Sequence, residues 1–140
     1  MPDQPGAERF DLPQAMRDEI IAHARAEAPR ECCGVIVGPP GDLRELHRLT
    51  NTYQGIDFYE PDAAELYRVY MEADARGWDI QVIYHSHPVS PAYPSPRDVQ
   101  HAGWPSAVYV ICSLEHSEHP RLRAFRIVDE KITELFLSAQ

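Results

Sequence analysis

Apolar residues recur along this chain at helical and at strand spacing in turn, which predicts alternating helices and strands. The first helical pattern covers about residues 12–27, has Pro13 near its first turn and ends before Pro29. A second helix is predicted from Pro61-Asp62 to Gly77, and a short third one over about residues 95–102. The apolar positions of the first helix are Leu12, Met16, Ile20 and Ile21.

Between the helices, short apolar segments bounded by turn residues predict strands. Pro39 to Asp42 and Asp129-Glu130 are turns that make hairpins of the strands beside them. Hairpins combined with alternating helices predict an α/β domain with a mixed sheet. The predicted strands cover residues 32–38, 43–49, 79–86, 107–113, 122–128 and 131–136.

The length of the chain, 140 residues, is that of a single domain. Residues 1–9 are polar and contain two prolines, so we predict a disordered N-terminal tail and a domain over residues 10–140. The N-terminus lacks the pattern of a signal peptide, and no apolar run reaches the ~18 residues of a membrane span. We therefore expect a cytoplasmic protein.

Charge and cysteine content narrow the classes of partner. The net charge of −9 argues against nucleic acid and against an anionic membrane surface, and leaves a protein or peptide partner open. Three cysteines do not make a disulfide framework, which favours a reducing compartment. Cys32 and Cys33 stand in a buried apolar run, so core packing is a better interpretation for them than a catalytic nucleophile.

Two histidines, His85 and His87, stand two apart at the end of a predicted strand. Residues i and i+2 of a strand point to the same face, so both imidazoles lie on one side of the sheet. Histidine nitrogen is a preferred zinc ligand, and ligands of α/β sheets bind at the carboxyl ends of strands. By itself this short pattern fits a metal site and a pair of exposed histidines equally well.

Ser95-Pro96-Arg97-Asp98 has the signature of a helix start, with Ser at the N-cap, Pro at the first position and an acid at the third. Ser95 and Asp98 act only as caps in one interpretation. In the other, Asp98 adds a carboxylate to the two imidazoles, a ligand set that suits zinc. Glu31, just before a buried strand, is then a candidate base for a water of lowered pKa, although a solvated glutamate fits that position too.

Taken together, these residues resemble the JAMM, or MPN-plus, metalloproteases. The motif of that family is an upstream glutamate, His-Ser/Thr-His, seven residues, Ser, two residues and Asp. The resemblance covers nearly the whole chain from about Leu12 and implies a single-domain mixed β-sheet flanked by helices, similar to the cytidine deaminases. The matching residues here are Glu31, His85-Ser86-His87, Ser95 and Asp98, with Pro88 to Pro94 as the seven-residue gap.

The resemblance implies a role for each matching residue. His85, His87 and Asp98 would bind Zn²⁺. Glu31 would hold and deprotonate the attacking water and then pass the proton to the leaving amine. Ser95 would hydrogen-bond the oxyanion or the attacking water.

A narrower resemblance is to the actinobacterial CysO-cysteine peptidases, in the segments Thr50-Asn51, Phe58-Tyr59, Ala92 to Ser95 and Phe125 to Asp129. It implies a ubiquitin-like sulfur-carrier protein with a Gly-Gly tail as the partner, and release of cysteine from that tail in cysteine biosynthesis. Pro88 stands where this subgroup is expected to have Thr, so we expect a substrate difference in the loop over residues 88–94. The residues predicted to contact the substrate are Asn51, Phe58, Tyr59 and Tyr93.

Three functions stay open at this point. The first is a zinc peptidase that hydrolyses the amide joining cysteine, or a short extension, to the carrier. The second is a general deubiquitinase-like isopeptidase, deconjugase or carrier-processing protease. The third is a non-catalytic MPN binding module, against which the intact set of Glu31, His85, His87 and Asp98 argues. The sequence does not fix the oligomeric state, and a homodimer stays open.

Overall fold

The computed structural model describes residues 8–139, without the side chain of Ala139. Within this range, no helix is long and apolar enough to cross a bilayer. The helices are α1 (Gln14–Glu27), α2 (Ala63–Ala75) and α3 (Pro96–Gln100). The strands are β1 (Arg9–Leu12), β2 (Cys33–Gly38), β3 (Glu45–Leu49), β4 (Asp79–His87), β5 (Val108–Ser113), β6 (Arg121–Val128) and β7 (Lys131–Ala139).

The seven strands form one sheet in the order β1-β7-β6-β5-β4-β2-β3. The pairs β1/β7 and β4/β5 are parallel and the other pairs are antiparallel, which confirms the mixed sheet predicted from the hairpins. β4 lies inside the sheet between β2 and β5, and its last four residues are all buried. The carboxyl end of β4 is therefore enclosed by other elements.

Side chains of β4 alternate between two packed layers. Val82 and Tyr84 pack with Ile20 and Ala24 of α1 on one face of the sheet. The opposite face carries α2 and α3, with Val69 of α2 buried against β2. Because His85 and His87 alternate with Tyr84, they point to the face that α2 and α3 cover.

At the N-terminus the structure differs from the prediction. Arg9–Leu12, predicted as the end of the tail and the start of a helix, form β1, which pairs in parallel with β7. Pro13, predicted near the first turn of the helix, is the N-cap of α1. Four residues are too few to show an alternating pattern, and their hydrogen-bond partners come from the other end of the chain. Residues 1–7 of the predicted tail lie outside the described residues.

Gly34 of β2 lies directly opposite Tyr84 of β4 in the antiparallel pairing of the two strands. A Cβ atom at Gly34 would overlap the Tyr84 ring. That ring is fully buried, and its hydroxyl is hydrogen-bonded to Nδ1 of His23 on α1 at 2.7 Å. The ring therefore cannot move aside without breaking a buried hydrogen bond.

We expect Gly34→Ala to lower the free energy of unfolding by about 1–3 kcal/mol, because the new methyl group overpacks a closed contact. Urea unfolding of the variant and the wild type measures this loss. Gly103→Ala is the matched control, since a Cβ there meets nothing within 4 Å. An equal effect of the two substitutions would contradict the close approach of β2 to the Tyr84 ring.

Candidate metal centre

The end of β4 places two imidazole nitrogens beside each other. His85 and His87 are buried, at 1% and 4% exposure, and their Nε2 atoms lie 3.2 Å apart. Nδ1 of His87 lies 2.8 Å from the carbonyl oxygen of Pro91, an acceptor, so Nδ1 carries the proton and donates it. The Nε2 lone pair of His87 is thereby turned towards His85, as in a metal-ligating histidine.

The first turn of α3 adds a carboxylate oxygen to this pair. Oδ2 of Asp98 lies 3.1 Å from Nε2 of His85 and 3.0 Å from Nε2 of His87. The same oxygen accepts the Ser95 N–H at 3.0 Å, while the Asp98 N–H donates to Oγ of Ser95 at 3.0 Å. The predicted capping box is therefore present, and it holds the carboxylate against the histidines.

The three donor atoms fit a small divalent cation. Their separations of 3.0–3.2 Å are close to the ~3.3 Å expected between ligand atoms that surround zinc tetrahedrally at about 2.0–2.1 Å. Two imidazole nitrogens at 3.2 Å also repel through their lone pairs unless a proton or a metal cation lies between them. Nitrogen and oxygen donors without thiolate are a set that zinc accepts.

Glu31, two residues before the start of β2, also lies close to the histidines. A carboxylate oxygen of Glu31 and one ring nitrogen each of His85 and His87 all lie within 4.8 Å of one another. Glu31 is 5% exposed, and its Oε1 has no hydrogen-bond partner among the described residues. Buried polar atoms without a partner are rare, and this carboxylate lies close to the histidine nitrogens. Two sets of three ligands are therefore available to a metal: His85 and His87 with Asp98, or His85 and His87 with Glu31.

The charges of the site favour different protonation states on its two carboxyl groups. Burial raises the pKa of Glu31 to about 8, against a smaller lowering by His87. Burial also acts to raise the pKa of Asp98, but the close imidazoles of His85 and His87, together with the Ser95 N–H, outweigh it and hold that pKa well below its ordinary value. Asp98 is thus an ionised partner for a cation, whereas Glu31 can take up and release a proton near neutral pH.

The four predicted substrate contacts differ in their surroundings. Tyr59 is half-buried and stacks on the His85 ring, with 4.3 Å between ring centroids. Tyr93 is 47% exposed and packs edge-on against Phe125. Asn51 and Phe58 are buried, at 5% and 3% exposure. Contact of these four residues with a substrate stays a prediction.

Two neighbours of the predicted site residues have contacts that the sequence analysis did not assign. Ser86, between the two histidines, accepts the Cys32 N–H on its hydroxyl at 2.8 Å. Arg97, next to Asp98, lies over the rings of Tyr53 and Phe58 and donates to the Tyr53 hydroxyl at 3.0 Å. The period of two along β4 shows that Ser86 points away from the histidines, but the partner of its hydroxyl is not visible in the sequence.

The cysteines are unsuited to act as nucleophiles. Cys32, Cys33 and Cys112 are all buried and free. Burial raises the pKa of the Cys32 thiol to about 12 and that of Cys33 well above its ordinary range. Since the thiolate is the reactive form, a thiol mechanism is disfavoured in this fold.

Residues 13–128 match the family described as prokaryotic homologs of the JAB domain. The match covers most of the chain, so the protein belongs to the prokaryotic JAB-domain family, and the predicted JAMM/MPN fold is confirmed.

Two relatives are similar over most of their length. The chain is 41% identical over 128 residues to the CysO-cysteine peptidase of Mycobacterium tuberculosis, covering 90% of this chain and 85% of that one. It is 36% identical over 140 residues to the desampylase of Haloferax volcanii, covering 94% and 97%. A solved structure of a Desulfitobacterium hafniense protein superposes with a TM-score of 0.81 at 30% identity, covering 93% and 92%.

A pH-dependent stability difference follows from the burial of Glu31. Because its folded-state pKa of about 8 lies above the ordinary value of 4.5, ionising Glu31 costs more in the folded chain, and stability falls as pH rises between these values. In chelator-treated protein we expect Glu31→Gln to be more stable than the wild type by about 2–4 kcal/mol near pH 8. The gap should close towards about pH 4.5.

Urea unfolding at both pH values measures this difference. Glu72→Gln, on the exposed side of α2, is the control for loss of a carboxylate and should show no such change. A gap for Glu31→Gln that is the same at both pH values, or reversed in sign near pH 8, contradicts the buried setting of Glu31.

Proposed function

We propose that this chain is a zinc-dependent peptidase of the JAMM type that cleaves the amide at the C-terminus of a ubiquitin-like carrier protein. The observation that carries the proposal is the convergence of His85, His87 and Asp98 at 3.0–3.2 Å beside the buried carboxylate of Glu31, whose Oε1 has no hydrogen-bond partner among the described residues. The names of the relatives, peptidase and desampylase, support hydrolysis of carrier conjugates.

Asp98 is the better third ligand, and Glu31 the better base. Oδ2 of Asp98 is held within 3.1 Å of both histidine nitrogens by a capping box, in an ionised state. Among the described residues nothing hydrogen-bonds the Glu31 carboxylate, so it is freer than Asp98 to accept and release a proton.

His85, His87 and Asp98 would hold Zn²⁺, which would act as a Lewis acid for the scissile carbonyl and would lower the pKa of the attacking water. The Glu31 carboxylate accepts the proton of the attacking water and delivers it to the leaving amine. The Ser95 hydroxyl accepts the Asp98 N–H, which leaves its own hydrogen to be donated to the developing oxyanion.

The finer proposal for the substrate is a carrier that ends in Gly-Gly and is joined to cysteine, in a cytoplasmic route of cysteine biosynthesis. The similarity to a CysO-cysteine peptidase supports it. Tyr93 is 47% exposed and Tyr59 is half-buried, so these two are the most accessible of the predicted residues to the tail. Asn51 and Phe58 lie beneath, where they support the segment that carries Tyr59.

A second candidate is a deconjugase that cleaves carriers from the side chains of other proteins. The similarity to a desampylase over 94% of the chain favours it. The two functions share the metal centre and differ only in the leaving amine, which is cysteine in one and a lysine side chain in the other.

We expect the zinc-loaded protein to release free cysteine from a carrier–cysteine adduct faster than it releases the same carrier from a lysine isopeptide. Mass spectrometry of both substrates measures the two rates. Chelation should abolish both reactions and added Zn²⁺ should restore them. Faster isopeptide cleavage favours the deconjugase, and cleavage that persists in zinc-free protein contradicts both candidates.

We expect Asp98→Ala to lose bound zinc, and Glu31→Gln to keep one zinc per chain while its cleavage rate falls by about 10²–10⁴-fold. The reason is that Asp98 acts as a ligand and Glu31 as a base. Metal analysis after gel filtration, combined with the cleavage assay, separates the two effects. Loss of zinc from Glu31→Gln, with zinc kept in Asp98→Ala, would contradict this assignment and make Glu31 the ligand.

A further inference from the structure

Both polar ends of one peptide group, the one that joins Glu31 to Cys32, are held by buried side chains. The Cys32 N–H donates to Oγ of Ser86 at 2.8 Å. The Glu31 carbonyl accepts from Nδ2 of Asn51 at 2.8 Å. Ser86 is fully buried and Asn51 is 5% exposed, so water does not compete for either bond.

On the β4 side, Ser86 replaces part of the sheet ladder. An antiparallel pair of residues in a regular ladder exchanges two backbone hydrogen bonds. Here the Ser86 N–H donates to the Cys32 carbonyl at 3.2 Å, but the Cys32 N–H is bonded to the Ser86 hydroxyl. At this last pair, next to Glu31, one of the two hydrogen bonds between the segments is therefore made by a side chain.

On the other side, Asn51 uses its whole side-chain amide on backbone groups. Its Oδ1 accepts the N–H groups of Tyr53 and Glu60, each at 2.9 Å, while Nδ2 donates to the Glu31 carbonyl. Arg30, the residue before Glu31, donates to the carbonyls of Asn51 and Tyr53. Asn51 thus joins the segment over residues 51–60 to the backbone of Glu31.

These bonds matter because the Glu31 side chain has little else to orient it. Among the described residues its carboxylate makes no hydrogen bond, and Oε1 is buried without a partner. A planar peptide held at both ends fixes the backbone rotation that follows the Glu31 Cα atom, and with it the direction of the Cα–Cβ bond. The backbone therefore fixes the point and the direction in which the Glu31 side chain leaves the chain.

We propose that Ser86 and Asn51 are positioning residues for Glu31, which they hold through the peptide group between Glu31 and Cys32. The proposal rests on the role of Glu31 as the base in the proposed function. Neither residue needs to touch the substrate or the metal. Ser86 couples the base to the strand that carries both histidines, and Asn51 couples it to the segment that carries Tyr59.

The test compares cleavage by the zinc-loaded wild type, Ser86→Ala, Ser86→Thr and Asn51→Asp. We expect Ser86→Ala to lower kcat about 10- to 100-fold with little change in KM, because a base displaced by a fraction of an ångström transfers protons poorly. Ser86→Thr keeps the hydroxyl and should recover most of the rate. Asn51→Asp keeps the acceptor for Tyr53 and Glu60 but loses the donor to Glu31, and should resemble Ser86→Ala.

Tyr84→Phe is the matched control. It removes a different buried hydrogen bond, to His23, from the same face of β4 and leaves the Glu31 peptide untouched. We expect it to keep the wild-type kcat. An equal loss of kcat in Tyr84→Phe, or a Ser86→Thr variant as slow as Ser86→Ala, would show a general packing effect and overturn the proposal.

A second readout does not depend on activity. Amide hydrogen exchange of the metal-free protein, followed by NMR, should show the Cys32 N–H exchanging at least ~10-fold faster in Ser86→Ala, with the amides of Ile36 and Val82 unchanged. In a separate zinc-loaded sample, Ser86→Ala should keep one zinc per chain. An unchanged Cys32 exchange rate, or loss of zinc parallel to loss of kcat, would contradict the positioning role.

Glu31→Gln, run beside these variants, separates the two proposals. An inactive Glu31→Gln with a fully active, folded Ser86→Ala refutes the positioning role and leaves the proposed function standing. A fully active Glu31→Gln refutes the role of Glu31 in the proposed function itself. If Ser86→Ala fails to fold, Asn51→Asp tests the same peptide from its other end.

Discussion

The antiparallel pairing of β2 with β4 is the constraint on which the site depends. It sets Cys33 opposite His85, and so brings Glu31, more than fifty positions earlier in the chain, to the end of the strand that carries both histidines. Gly34 permits this pairing because any side chain there would meet the buried Tyr84 ring. A shift of one residue would turn the histidines to the α1 face and separate them from the base.

Several groups serve the fold and the site at once. The capping box of α3 is a common way to begin a helix, yet the oxygen that accepts the Ser95 N–H is also the one nearest both histidine nitrogens. The hydrogen bonds that cap the N-terminus of α3 therefore also hold Asp98 in place as the third ligand. The burial that keeps Glu31 in contact with the histidines also raises its pKa towards neutrality. Burial of the Glu31 carboxylate thus serves the proposed chemistry but lowers stability when the group is ionised, whereas the Asp98 capping box serves both.

The sequence predicted those parts of the site that follow local rules. The period of two placed His85 and His87 on one face, and the Ser-Pro-Arg-Asp signature placed Asp98 at the start of a helix, which the capping box confirms. The helices and most strands lie within a few residues of their predicted bounds. Glu31 had no local signal strong enough to select it, and the family resemblance was needed.

What could not be predicted depends on contacts between distant parts of the chain. β1 forms because residues at the opposite end of the chain supply its ladder. The hydroxyl of Ser86 and the amide of Asn51 meet the Glu31–Cys32 peptide across 54 and 20 positions, and neither spacing follows a helix or strand period. Propensity and periodicity describe one element at a time, so such contacts appear only in three dimensions.

The most direct test of the account is a crystal structure of the zinc-loaded protein, with the ion located by anomalous scattering. We expect zinc at about 2.0–2.2 Å from Nε2 of His85, Nε2 of His87 and Oδ2 of Asp98, with the Glu31 carboxylate outside bonding distance. Zinc bound by Glu31 with Asp98 outside its coordination sphere, or zinc bound at another place, would contradict it.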